Sequence, residues 1–204
     1  GGGYDNPYWI VNNIKYMDNI DRIIGNVNIS WDATDWLSFT YRAGTDYYGK
    51  NVDYYFSKNS NAYPGGRKDK WTATNKEFNS DLIMNISQQF GEDISFDFTA
   101  GHNMYQSEYT ESYTEANDLV IPDFYTIGNT TDNRGSEDNF MKRTAAYYGD
   151  VTLGFRDMLY LGLTGRYEWS TTMPADNNAF FYPSANLGFI LDRKSTRLNS
   201  SHTL

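Results

Sequence analysis

The stretch RIIGNVNISWDATDWLSFTYRAG, Arg22 to Gly44, decides the fold class. Its odd positions Ile23, Gly25, Val27, Ile29 and Trp31 are apolar or small, and Asn26, Asn28 and Ser30 stand between them. After a polar corner, Leu37, Phe39, Tyr41 and Ala43 take the apolar positions, with Ser38, Thr40 and Arg42 between. A period of two puts alternate side chains on opposite faces of an extended strand, not on one stripe of a helix. Asp32-Ala33-Thr34-Asp35 supplies side chains that satisfy turn backbone locally, so the two runs predict a hairpin with one apolar and one polar face.

The same alternation recurs along the chain. Leu82, Met84, Ile86 and Phe90 share a face, and after Gly91-Glu92-Asp93 so do Ile94, Phe96, Phe98 and Ala100. Ala145, Tyr147, Gly149, Val151, Leu153 and Phe155 lead through Arg156-Asp157-Met158 into Leu159, Leu161, Leu163, Gly165, Tyr167 and Trp169. A last run passes through Phe181, Ala185, Leu187, Phe189 and Leu191. Seven strands and no helix are predicted. Tight corners at 32–35, 91–93 and 156–158 alternate with long polar connections at about 49–76, 112–140 and 171–179. Short turns on one rim and long loops on the other are the pattern of a transmembrane barrel.

The register of each hairpin sorts the side chains. Val27, Phe39, Met84, Phe98, Val151, Leu161 and Leu187 are expected on the outer face, with Asn28, Arg42, Asp97, Asp150 and Arg166 on the inner one. In a sandwich the apolar face would meet a second sheet; in a barrel it meets lipid. Rings near strand ends (Trp31, Trp36, Tyr47, Tyr48, Phe90, Tyr167 and Trp169) fit an interfacial girdle.

Composition narrows the function classes. Aromatic residues make up 17% of 204 residues, with 18 Tyr, 12 Phe and 5 Trp, yet the mean hydropathy is polar. Strands with one greasy and one wet face reconcile the two. A net charge of −9 and scattered Lys and Arg argue against nucleic-acid binding. The absence of cysteine removes disulfides and thiolate metal sites. The chain begins Gly1-Gly2-Gly3, which reads as a cut in a longer sequence.

No catalytic constellation stands out, and none is expected: no enzyme, no cofactor and no metal. His102 continues the apolar face of Phe96, Phe98 and Ala100 and reads as a rim or interface histidine. The acidic run TDNRGSEDN, 131–139, lacks the ordered spacing of a calcium loop and reads as a solvated loop. Asn28, Asn85 and Asn129 open sequon matches that read as coincidence. The loop NVDYYFSKNSNAYPGGRKDKW, 51–71, offers Tyr54, Tyr55, Tyr63 and Trp71 for stacking on sugar rings or peptide side chains, or for packing the loop on itself.

Several segments resemble the SusC/RagA-type TonB-dependent outer-membrane transporters of Bacteroidetes: NPYWIVNN at 6–13, DRIIGNVNISWDATDWLSFTYRAG at 21–44, IPDFYTIGN at 121–129, KRTAAYYGDVTLGFRDMLYLGLTGRYEWST at 142–171 and FFYPSANLGFIL at 180–191. The resemblance implies a plugged barrel of about 22 strands, of which residues 1–191 would form roughly the middle third. It also implies import of a glycan, oligopeptide or other small nutrient across the Gram-negative outer membrane. The implied partners are the lipid bilayer, a SusD-like surface lipoprotein, and TonB acting through a region amino-terminal to these residues. The other class of function in play is a soluble or surface-exposed β-sheet module that binds ligand, carbohydrate-binding or adhesin-like. Residues 192–204, DRKSTRLNSSHTL, resemble translated sequencing-adapter read-through and are expected to be a non-native tail.

Overall fold

The computed structural model describes residues 4–190; the suspected tail and Leu191 lie outside the described residues. A short helix, α1 (Pro7–Asn13), precedes seven strands: β1 (Ile14–Thr34), β2 (Leu37–Phe56), β3 (Arg67–Phe90), β4 (Ile94–Leu119), β5 (Thr130–Phe155), β6 (Leu159–Ser170) and β7 (Ala179–Phe189). They form one antiparallel sheet in chain order, β1 to β7, as expected of consecutive hairpins. Among the described residues β1 and β7 each have a single strand neighbour.

Helix α1 corrects the expectation of no helix. Asn6 caps it by accepting a hydrogen bond from the Tyr8 amide at 2.9 Å, and Pro7 occupies the first turn, where a missing N–H costs nothing. Two turns are too short to reveal a 3.6-residue period.

The tight corners at 91–93 and 156–158 fall where expected, whereas the one expected at 32–35 is a two-residue turn at 35–36, with Asp32–Thr34 extending β1. Between β5 and β6, Arg156 and Asp157 both have positive φ, 54° and 53°, and the Met158 amide donates to the Phe155 carbonyl at 3.0 Å. Positive φ at both central residues is the hairpin-favouring arrangement whose twist matches that of the strands. Arg156 also donates to Asp93 of the preceding tight turn at 2.9 Å.

The long connections are shorter than expected. The strands leave only 57–66, 120–129 and 171–178 outside them. The acidic run at 131–139, expected as a loop, belongs to β5; it is solvated as expected, and Asp132 pairs with Arg134 at 3.4 Å. Both faces of these strand ends carry polar residues, so period-two alternation of polarity is absent although the backbone is extended.

Cross-strand partners confirm the two faces. Leu161 stands between Leu153 and Leu187, and Leu163 between Val151 and Ala185. One residue along, Thr164 stands between Asp150 and Ser184, and Arg166 between Tyr148 and Tyr182. In β1 and β2, Trp31 stacks on Phe39 at 5.6 Å on one face, while Ser30 and Thr40 hydroxyls meet at 3.3 Å on the other. Between β3 and β4, Thr99 donates to Asn85 at 2.9 Å and Ser87 to Asp97 at 2.7 Å.

The chain divides into two compact units. The first holds 4–26, Gly44–Asn79 and Tyr105–Arg143; the second holds Val27–Ala43, Ser80–Met104 and 144–190. Most of the buried apolar side chains, Val52, Phe56, Ala73, Ala116 and Leu119, belong to the first. In the second, Ala146 is the fully buried apolar residue, and large apolar side chains stand exposed.

On the polar face of the second unit, a Cβ added to Gly101 would run into the ring of Tyr148. Gly101→Ala should therefore lower stability by about 1–3 kcal/mol in urea unfolding. Adding Tyr148→Ala should recover most of that loss; additive losses would refute the packing.

Candidate functional site

Within the first unit, the segment carrying the four aromatic candidates is built mostly of strand. Tyr54 and Tyr55 lie on β2, Trp71 on β3, and Tyr63 alone in the loop at 57–66. That loop is tied at several points. The Asp118 and Leu119 amides donate to the carbonyls of Gly66 and Gly65 at 3.0 and 2.9 Å. The approach is so close that a Cβ on Gly65 would strike the Asp118 carboxylate, and Gly66 adopts φ +78°, a region side chains rarely enter. The buried Ser60 hydroxyl donates to Asp5 at 2.7 Å, and the Ser57 amide and hydroxyl donate to the Asn13 carbonyl at 3.0 and 2.9 Å.

The structure links Tyr54 and Tyr63 through Phe56, places Trp71 on the same face under Lys50, and sets Tyr55 apart. Tyr54 lies against Phe56 at 4.6 Å and Tyr16 at 5.6 Å, and Phe56 lies against Tyr63 at 4.5 Å. Lys50, two turns of the alternation from Tyr54 and so on the same face, covers Trp71 at 4.9 Å. Tyr55 points to the opposite face and stacks on Tyr125 at 4.2 Å. All four rings are half-buried.

Charge supports this cluster. Arg67 donates to Asp69 at 2.7 Å and to the Tyr113 hydroxyl at 2.8 Å, reaches Glu115 at 3.1 Å, and covers the Tyr63 ring at 4.6 Å. Burial alone would lower the pKa of Arg67, but the hydrogen bond and charge of Asp69 outweigh it and hold the guanidinium well above its usual value. Burial pushes the Tyr113 hydroxyl up, and Asp69 adds to the shift. Lys68 pairs with Asp53 on the face of Tyr55. An ion cluster partly withdrawn from water fixes geometry, because each member left alone would lose its compensation.

Asn129 is a site that reading the sequence missed. Its side-chain oxygen accepts the Ile121 amide at 2.9 Å, and its amide donates to the Ile121 and Phe124 carbonyls at 2.8 and 2.7 Å. At 6% exposure it organises 120–129 from within. The only signal was its place in a sequon match. Tyr125, on the same loop, donates to Asp123 at 3.0 Å and meets the Ser57 hydroxyl; burial first, then Asp123, raise its pKa.

Among the described residues no group of His, Asp and Glu gathers as metal ligands. His102 lies on the apolar face expected for it, stacked on Tyr147 at 4.5 Å, and its Nδ1 donates to the Ala146 carbonyl at 3.0 Å.

In the second unit the apolar face is the distinctive surface. Leu153, Leu161, Leu163 and Leu187 are exposed, Leu187 to 72%. Rings flank this band. Trp31, Phe90, Phe155 and Phe189 stand near the tight turns, while Tyr147, Tyr167 and Trp169 stand farther along the strands, Tyr167 and Trp169 in contact at 4.5 Å. From Leu159 to Trp169, β6 runs about 33 Å, which at a tilt of about 40° gives a height of about 25 Å, the apolar band of an outer-membrane barrel.

Known structures share this fold. The chain superposes on a structure of the RagAB peptide transporter with a TM-score of 0.80 at 11% identity, covering 88% of this chain and 20% of that one. The closed-closed state of the RagAB peptide importer gives 0.79 at 10% identity over 85% of this chain and 20% of the other. The open-open state gives 0.75 at 13% identity over 88% and 20%. The seven strands thus have the fold of a strand segment from these transporter chains, and span about a fifth of their length. No family model and no curated protein matches the chain.

Asn129→Asp keeps the shape but removes both donors and turns a carboxylate toward two carbonyls. The loop should open by about 1–3 kcal/mol, read as faster hydrogen exchange at the Ile121 amide and faster proteolysis within 120–129. Unchanged protection would show that Asn129 does not organise the loop.

Proposed function

We propose that these strands form part of an outer-membrane β-barrel transporter that imports a nutrient, glycan or oligopeptide, into a Gram-negative bacterium of the Bacteroidetes type. The observation that carries the reading is the exposed aliphatic band of the second unit between two tiers of rings, opposite a face bearing Asp97, Thr99, Asp150, Thr164, Arg166 and Glu168. A soluble module needs a second layer over such a band, whereas lipid covers it in a barrel. The polar face would then line the lumen, where Arg166 donates to Glu168 at 2.7 Å. The fold shared with peptide-transporter chains supports the same reading. The chain does no catalysis of its own in this view. A SusD-like lipoprotein caps the end bearing the long loops, and TonB supplies energy from the periplasmic side.

Cargo contact falls to the half-exposed rings. Tyr54, Tyr63 and Trp71 share one face and offer edges for stacking, while Tyr55 faces the other way onto Tyr125. Trp71→Ala in the full-length protein should weaken uptake several-fold and leave the amount of folded protein intact. Tyr55→Ala should instead loosen 120–129, seen by proteolysis. Normal uptake with Trp71→Ala would remove that ring from the cargo path.

The two faces are tested by a pair of substitutions in the full-length protein. Leu161→Arg places a charge among Leu153 and Leu187, at a cost of about 2–4 kcal/mol near the bilayer midplane. Arg166→Ala removes a charge from the polar face, where Glu168 and water readjust. Heat-modifiable gel migration should show less folded protein for the first and a normal amount for the second. Normal insertion of Leu161→Arg with failed assembly of Arg166→Ala would reverse the faces and remove the physical basis of the transporter reading.

A further inference from the structure

In the first unit, two hydrogen-bond donors on the face of Tyr54 lack an acceptor. The Trp71 indole Nε1 is buried and bonds nothing among the described residues. The half-buried Lys50 ammonium lies 4.9 Å from the centre of the same ring and meets no carboxylate among the described residues. Other cations of the unit are answered. Arg67, four residues from Trp71 and so on its face, meets Asp69 at 2.7 Å and Glu115 at 3.1 Å, and Arg22 meets Asp46 at 2.6 Å.

The two donors have apolar, water-poor neighbours. Val52, two residues from Lys50, and Ala73, two from Trp71, share their face by alternation and are only 4% and 6% exposed. An indole N–H without a partner is costly in such a place. A ring face attracts an ammonium but leaves its hydrogen bonds unmade. The carboxylates at 69, 111 and 115 are already committed, Asp69 and Glu115 to Arg67 and Glu111 to the Tyr109 hydroxyl.

An acceptor that serves both donors therefore comes from outside the described residues, and the charge of Lys50 selects a negative one. A carboxylate fits. It only accepts, and its two oxygens can take one bond from the ammonium and one from the indole. Lys50 carries its charge on a flexible four-carbon stem, so the ammonium can leave the ring face and follow a carboxylate to the indole edge. Arg67 is pinned by Asp69, Tyr113 and Glu115 and stays where it is.

We propose that Lys50 and Trp71 form a subsite for a carboxylate of the cargo, on the face where Tyr54 and Tyr63 offer their rings. The assignment rests on the cargo-contact reading above and narrows it to acidic cargo. The carboxylate belongs to a uronic acid of a glycan, or to the chain end or an acidic side chain of an oligopeptide, since each presents the same pair of oxygens.

The test uses the full-length protein in a non-ionic detergent and measures binding by calorimetry. Two matched pairs serve as probes: tetra-alanine against its carboxyl-terminal amide, and trigalacturonic acid against its methyl ester. In one pair the free acid should bind roughly tenfold more tightly than the neutral form, and the pair that shows this identifies the source. Lys50→Met should erase that preference and leave the affinity for the neutral form unchanged. Trp71→Phe keeps a ring but removes the N–H, and should reduce the preference part of the way; Lys50→Met decides alone if Trp71→Phe assembles poorly. Equal binding of acid and neutral forms in both pairs, absence of binding by both acids, or a preference that survives Lys50→Met overturns the proposal. Uptake by Trp71→Ala separates the two levels. If uptake falls while no acid preference exists, the carboxylate subsite fails alone; if uptake is normal, the cargo-contact reading fails first.

Discussion

The register that sets Leu161 between Leu153 and Leu187 is the constraint on which the rest depends. Side chains alternate, so a slip of one residue on β6 would carry the leucines to the face of Asp150 and Ser184, and Arg166 and Glu168 to the face of the tyrosines and tryptophans. Both errors cost heavily where one side is hydrocarbon, because a lone charge there has no water to answer it. The tight turn at Arg156–Asp157 enforces the register from one end, since its positive φ angles suit a turn in which Met158 hydrogen-bonds Phe155 and Phe155 stands opposite Leu159. Backbone hydrogen bonding enforces it along the length.

The two units answer the same problem of stability differently. The second leaves its large apolar side chains exposed, and its strands are held together by their ladders. In the first, Phe56, Leu119 and Ala116 are buried, as are Ser60, Lys68, Asp69 and Asn129, and each of these four polar side chains has a partner, whereas the buried Trp71 indole N–H has none among the described residues. Asp5, Asn13, Ser57 and Tyr125 connect residues 5–13 to the loops at 57–66 and 120–129, so these two loops are braced rather than loose.

Legibility in the sequence followed the environment of each residue. Hairpin corners and the faces of 27–31, 37–43, 94–100 and 145–169 could be read because one side of each strand is apolar and the other polar, which writes a period of two into the residues. At 45–56, 67–79, 105–119 and 130–143 the backbone stays extended but both sides carry polar residues, and the pattern vanishes. Of the four rings proposed for ligand contact, alternation alone separates Tyr55 from Tyr54, yet their partners Tyr125 and Tyr16 lie too far along the chain to be read locally. Asn129 was hidden for a related reason. A buried amide bonded to Ile121 and Phe124 looks, in one dimension, like any loop asparagine.

The chain-order topology has an evolutionary consequence. Every strand pairs only with its sequence neighbours, so no segment must thread between others already in place. Removing or duplicating one hairpin would create a single new junction and leave all remaining ladders untouched. The number of strands is therefore a quantity that selection can change in steps of two, widening or narrowing the sheet without redesigning the strands that remain.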